Sequence, residues 1–136
     1  MNTSRIALFG AVALISAATF SGPVFAGHSA EHVIAALDPD KDGTLDKREV
    51  KHAAIAKFKR LNGDNDRTLE PNEVVGHITP KAFAYGDLNK DGKLSLGEYL
   101  RLTKLAYIAS NPDKDRTIEA AELQTAHGRI LSHLIY

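Results

Sequence analysis

Four acidic twelve-residue segments recur along this chain with starts 24, 25 and 24 residues apart. The first is Asp38 to Glu49, DPDKDGTLDKRE. The others are Asn62 to Glu73 (NGDNDRTLEPNE), Asp87 to Glu98 (DLNKDGKLSLGE) and Asn111 to Glu122 (NPDKDRTIEAAE). In chain order these are loops 1 to 4. Sixteen of the seventeen acidic residues lie inside them, and Glu31 alone lies outside. A repeat in fixed phase dictates one structural unit used four times, and the unit must manage its own crowded negative charge.

Aligned position by position, the loops follow the calcium-type EF-hand pattern D-x-[DN]-x-[DN]-G-x₅-E at its ligand positions. Position 1 is Asp38, Asn62, Asp87 and Asn111. Position 3 is Asp40, Asp64, Asn89 and Asp113, and position 5 is Asp42, Asp66, Asp91 and Asp115. Position 7, which turns its main-chain carbonyl inward, is Thr44, Thr68, Lys93 and Thr117. Position 9 is Asp46, Glu70, Ser95 and Glu119. Position 12 is Glu49, Glu73, Glu98 and Glu122. A hard cation takes about six to eight oxygens, and this spacing offers them. The bland alternative is four Asx-rich turns without metal. Turn chemistry does not explain a Glu at position 12 every time. Metal would relieve the like-charge crowding, so binding is expected to be coupled to folding.

The fold class is set by the spacing. The connections 50–61, 74–86 and 99–110 hold 12, 13 and 12 residues. That is too short for a separate outgoing and incoming helix. Val50–Leu61 contains no Gly or Pro and sets Val50, Ala54, Phe58 and Leu61 on one face. Tyr99–Ser110 is equally unbroken, so each predicts one shared helix of about 18 Å. The middle connection is interrupted at Gly76, and Thr79-Pro80 is a helix start signal. It predicts two short helical turns with a reversal. Loops 2 and 3 then meet at one end, through Leu69 and Leu94, and loops 1 and 4 at the other, through Leu45 and Ile118. Flanking helices are expected near 30–37 and 120–134. The expectation is all-α: a compact helical bundle with four closely spaced EF-hand loops, paired 2 with 3 and 1 with 4.

Residues 1–26 read as a cleaved export signal. Arg5 is their only charge, Ile6 to Phe20 is uncharged and mostly apolar, and Val24-Phe25-Ala26 offers a small residue before the cut. A membrane anchor would need about 20 predominantly apolar residues, reached here only by including Ser16, Thr19, Ser21, Gly22 and Pro23. The expected mature unit is 27–136, a four-loop metal-binding domain in the periplasm, with no membrane association after cleavage. A chain this short buries a modest core and needs help, which metal would supply. Lys+Arg and Asp+Glu are 17 each, so no basic face suggests nucleic acid. With no Cys, disulfides, thiolate zinc sites and cysteine nucleophiles are excluded.

Other chemistry is thin. His28 and His32 lie four apart on a segment expected to fray; solvated side chains or a transition-metal site are the two readings. His52, His77, His127 and His133 are scattered, and no zincin motif, phosphate loop or nucleophile constellation is visible. The carboxylates are absorbed as loop ligands, so no enzyme is expected. Leu100, Tyr107 and Ile108 are expected in the core. A Met-rich partner groove is not, since the only Met is Met1.

Export signal, four loops and the tight phase together resemble the lanmodulin family, periplasmic lanthanide-binding EF-hand proteins of methylotrophic bacteria. The resemblance covers essentially the whole chain. Pro39 and Pro112 at position 2 of loops 1 and 4 match a family hallmark; Gly63 and Leu88 depart from it. Proline there fixes φ and stiffens the loop entry. Gly43 and Gly92 suit the left-handed backbone expected at position 6, where loops 2 and 4 carry Arg67 and Arg116. The resemblance implies selectivity for trivalent rare-earth ions over calcium and a metal-driven folding switch. Carboxylate number ranks the loops: five in loop 1, four each in loops 2 and 4, three in loop 3. A trivalent ion gains more from each anion. Loops 1, 2 and 4 are thus expected to prefer lanthanide(III) ions, and loop 3 to be weak or calcium-like. The alternative function is a periplasmic calcium sensor or buffer acting through a protein partner, whose identity the sequence leaves unknown.

Overall fold

The outgoing helices start inside the loops, at the position-9 residues that cap them. A computed structural model describes residues 28–136; the expected signal at 1–26 lies outside them. Helix α1 spans Ala30–Leu37, α2 Lys47–Leu61, α3 Pro80–Gly86, α4 Leu96–Ser110, α5 Ala120–Leu123 and α6 Ala126–Ile135. Strands β1 (Thr68–Leu69) and β2 (Leu94–Ser95) complete the elements of a mostly helical molecule. Because Asp46 and Ser95 cap α2 and α4, both connecting helices run 15 residues, about 22 Å at 1.5 Å per residue.

The capping residues explain these boundaries. Asp46 and Glu49 form a capping box at the start of α2, and Ser95 and Glu98 form one at α4. Each satisfies two helix-terminal N–H groups that would otherwise lack partners. Thr79 accepts from the Ala82 N–H, and Pro80 occupies the first turn of α3. Between loop 2 and α3 the chain makes turns, with Gly76 at φ +79°.

Helices α2, α4 and α6 form the centre, each packing on the other two. Phe58 of α2 meets Tyr99 of α4 edge to face, with ring centroids 5.5 Å apart. The Tyr99 hydroxyl donates to the Leu134 carbonyl on α6 at 2.7 Å, which satisfies the polar tip of a fully buried ring. The position-8 residues make the second part of the core. Leu45, Leu69, Leu94 and Ile118 are all fully buried. Leu69 pairs with Leu94 in an antiparallel two-residue ladder. Leu45 and Ile118 exchange main-chain hydrogen bonds of 2.9 and 3.0 Å. Burying one such side chain stabilises by about 1.5–3 kcal/mol, so the loop contacts belong to the core itself.

Two expectations change. The helix expected over 120–134 is two helices. Thr125 breaks it: its hydroxyl donates to the Glu122 carbonyl at 2.6 Å and accepts from the Gly128 N–H at 3.0 Å, starting α6 afresh. Gly128 then sits so close to the preceding turn that a Cβ would lie 2.0 Å from the Glu122 carbonyl oxygen. Ile108 is not core; it is 57% exposed while Tyr107 beside it is buried. Ile108 lies three or four residues from Lys104 and Leu105, on the exposed side of α4 that Arg101 shares. Among the described residues, no helix is long and apolar enough to cross a membrane.

Candidate metal centres

Each loop is hung between fixed points. Position 1 ends the incoming helix: Asp38, Asn62, Asp87 and Asn111 are the C-terminal caps of α1, α2, α3 and α4. Position 12 sits in the turn by which the chain leaves the loop, its carboxylate bonded back to the position-9 N–H. The distances are 2.7 Å (Asp46 to Glu49), 3.1 Å (Glu70 to Glu73), 2.9 Å (Ser95 to Glu98) and 3.0 Å (Glu119 to Glu122). The closing glutamate is therefore both a capping residue and a candidate ligand, which is why its spacing never varies.

The turn between them is equally regular. The position-5 aspartate accepts the position-7 N–H in all four loops, at 2.8 to 2.9 Å. Position 6 is left-handed throughout: Gly43, Arg67, Gly92 and Arg116 have φ between 73° and 84°. For the two arginines this conformation costs about 1–2 kcal/mol each. Tyr107 helps hold Arg116 there, its hydroxyl donating to the Arg116 carbonyl. Position 4 is also left-handed, at Lys41, Asn65, Lys90 and Lys114. The recurrent Lys or Asn is the only signal of that turn in the sequence.

The loops differ in what their ligand atoms already touch. Loop 1 gathers Asp38, Asp40 and Asp42 with ligand oxygens within 4.8 Å of one another, and loop 2 does the same with Asp64, Glu70 and Glu73. Among the described residues, loops 3 and 4 bring no such trio together. Also among the described residues, four buried side-chain oxygens have no hydrogen-bond partner: Glu49 Oε1, Asn62 Oδ1, Asn111 Oδ1 and Glu122 Oε1. All four belong to position 1 or position 12, and none to loop 3. An orphaned buried oxygen is normally avoided; here it occurs where a cation would need it.

Position 2 accounts for much of this. In loops 2 and 3 the position-2 N–H donates to the closing glutamate: Gly63 to Glu73 Oε1 at 2.8 Å, and Leu88 to Glu98 Oε1 at 2.9 Å. Pro39 and Pro112 have no N–H to give. The inner oxygens of Glu49 and Glu122 are left without that donor.

Charge obeys the same division. Burial pushes the Glu49 carboxyl above its ordinary range, with Asp40, Asp46 and Asp38 adding repulsion against the Asp46 N–H. Burial also raises Glu122, reinforced by Asp113, Asp115 and Glu119. Glu98 of loop 3 is lowered instead, chiefly by the Ser95 N–H and hydroxyl. Asp40 is raised by its side-chain contact with Asp38, by burial and by Asp42. In loop 4, Asn111 Nδ2 donates to the Thr117 carbonyl at 2.8 Å and to Asp115 at 3.3 Å, so its amide already touches two candidate ligand positions.

The donor set is all oxygen, from carboxylate, amide and main-chain carbonyl. That fits a hard cation and excludes a thiolate or imidazole site here. The histidines lie elsewhere. His28 and His32 are not loose: their rings stack 4.7 Å apart and His32 Nε2 shares a 3.0 Å hydrogen bond with the Tyr136 hydroxyl.

Residues 81–103, which contain most of α3, all of loop 3 and the first half of α4, match the EF hand family. This segment resembles an EF hand. No curated protein matches the chain. The match and the acidic clusters of loops 1 and 2 support metal binding.

Proposed function

We propose that this protein is an exported, periplasmic metal-binding protein whose four EF-hand-like loops take trivalent lanthanide ions and fold more tightly as they do so. It is not an enzyme in this reading, and residues 27–136 are its working unit. Loops 1 and 4 form one binding pair and loops 2 and 3 the other. The observation that carries the proposal is the set of orphaned buried oxygens at positions 1 and 12, within loops that hold nearly all the acidic residues. Those atoms are desolvated without compensation, and a cation of high charge offsets the most repulsion.

The work would be divided by position within each loop. The position-1, -3 and -5 side chains would bind from the incoming side, and the position-7 carbonyl from the pairing strand. The closing glutamate would bind with the carboxylate that already caps the outgoing turn. A metal supplies the positive charge that lets these groups stand together.

A calcium sensor or buffer acting through a protein partner is the second reading. It is favoured by the EF hand match falling on loop 3, whose three carboxylates are already satisfied internally. Far-UV circular dichroism of the purified protein, titrated with chelator-buffered lanthanum and separately with calcium, tests the two. Helix gained at free lanthanum far below the calcium required supports the first reading. Equal response in the ~10⁻⁷–10⁻⁵ M calcium range of sensors supports the second.

A further inference from the structure

Loop 3 differs from the others at position 7, where Lys93 stands in place of Thr44, Thr68 and Thr117. Position 7 normally contributes only its carbonyl, so its side chain has no part in its own site. The strand pairing gives it a part in another. The register sets Thr68 opposite Ser95 and Leu69 opposite Leu94. One step further, Glu70 of loop 2 comes opposite Lys93 of loop 3. Side chains opposite one another on an antiparallel pair share a face and are close enough to interact. The Lys93 ammonium lies 2.5 Å from Glu70 Oε1 and 3.0 Å from Asp66 Oδ2. Those are positions 9 and 5 of loop 2. The acids of Lys93's own loop are not its partners in these ion pairs.

We propose that Lys93 is a tethered counter-ion for loop 2: an ammonium supplied by loop 3 that holds two of loop 2's candidate ligands and must be displaced before a metal ion can use them. The inference rests on loop 2 being a metal site. Lys93 is then a specificity-determining residue of a loop it does not belong to. The Lys93 side chain is 42% exposed and its two partners 33% and 23%, so it can swing into solvent without disturbing the core. Its ammonium also stays near the site after release, repelling whatever cation has entered. Loops 2 and 4 offer a natural contrast, since both read N-x-D-x-D-R-T-[LI]-E-x-x-E. By the 1–4 hydrogen bonds at Leu45 and Ile118, Glu119 of loop 4 faces Thr44, not a lysine.

The experiment is a chelator-buffered lanthanum titration monitored by the backbone amide signals of Gly43, Arg67, Gly92 and Arg116, one per loop. It compares the protein with Lys93→Thr and Lys93→Arg. Thr is the residue the other three loops use, so the strand is kept. Lys93→Thr should lower the free lanthanum needed to half-fill loop 2 by about fivefold, the scale of two partly exposed ion pairs. The loop 1 and loop 4 midpoints should not move. Lys93→Arg, which keeps the charge, should leave loop 2 near the unmodified midpoint. A loop 2 midpoint that is unchanged or higher in Lys93→Thr overturns the inference alone. An Arg67 amide that responds to neither lanthanum nor calcium in any of the proteins overturns it together with the reading of loop 2 as a metal site.

Discussion

The two loop pairs have nearly the same backbone and differ in what their closing glutamates touch. In the 1–4 pair, proline at position 2 withholds a donor, and the inner oxygens of Glu49 and Glu122 stay buried and unpartnered. In the 2–3 pair, Gly63 and Leu88 supply that donor to Glu73 and Glu98, and Lys93 neutralises part of loop 2. One pair keeps its closing carboxylates open to a cation; the other ties much of its negative charge to the protein itself. Carboxylate number alone therefore does not rank such loops. Loops 2 and 4 carry four acids each, yet loop 2 already has a lysine ammonium in contact with two of its own.

Four variants can break or sharpen the comparison. The largest effect is expected from Glu49→Gln with Glu122→Gln. Even partners behind the ligands cost about 10–100-fold in metal affinity when removed, so the double variant should weaken the 1–4 pair by at least about a hundredfold. Glu98→Gln in loop 3 should leave the tightest sites nearly untouched. Competition against a lanthanide chelator measures both.

Gly128→Ala comes next. Its Cβ would fall 2.0 Å from the Glu122 carbonyl oxygen, a main-chain atom that cannot step aside cheaply. Overpacking of this kind costs about 1–3 kcal/mol, to be read from the urea midpoint. Since α5 carries the closing glutamate of loop 4, the 1–4 pair should lose affinity and the 2–3 pair should not.

Pro112→Ala should give the smallest effect. It restores an N–H that can tie Glu122 as Leu88 ties Glu98. A hydrogen bond to a charged group is worth about 1.5 kcal/mol at its lower end. Loop 4 should weaken by about tenfold, as seen in the Arg116 amide titration. A stronger loop 4 would show that proline acts only through stiffness.

Much of this is legible in the chain. The loop boundaries, the two shared helices and the Thr79-Pro80 start come from short-range patterns: fixed spacing, absence of breakers and capping chemistry. The break at Thr125 is not legible, because it depends on Gly128 approaching the Glu122 carbonyl, a contact the sequence does not advertise. The exposure of Ile108 depends on how α4 sits against α2 and α6. The role of Lys93 needs the strand register, which carries its side chain from one loop to the ligands of another. Proline at position 2 advertises the φ it fixes; the N–H it lacks matters only once Glu49 and Glu122 are seen buried with no donor in reach.

On the proposed function, the 1–4 pair is the open one and should take metal before the 2–3 pair. Buffered lanthanum added stepwise, with the position-6 amides read loop by loop, tests this directly. Gly43 and Arg116 should shift at lower free lanthanum than Arg67 and Gly92, with Gly92 last. If Arg67 and Gly92 respond first, or all four move together, the internal bonds of the 2–3 pair do not restrain it and the two pairs do not differ in the way their hydrogen bonding implies.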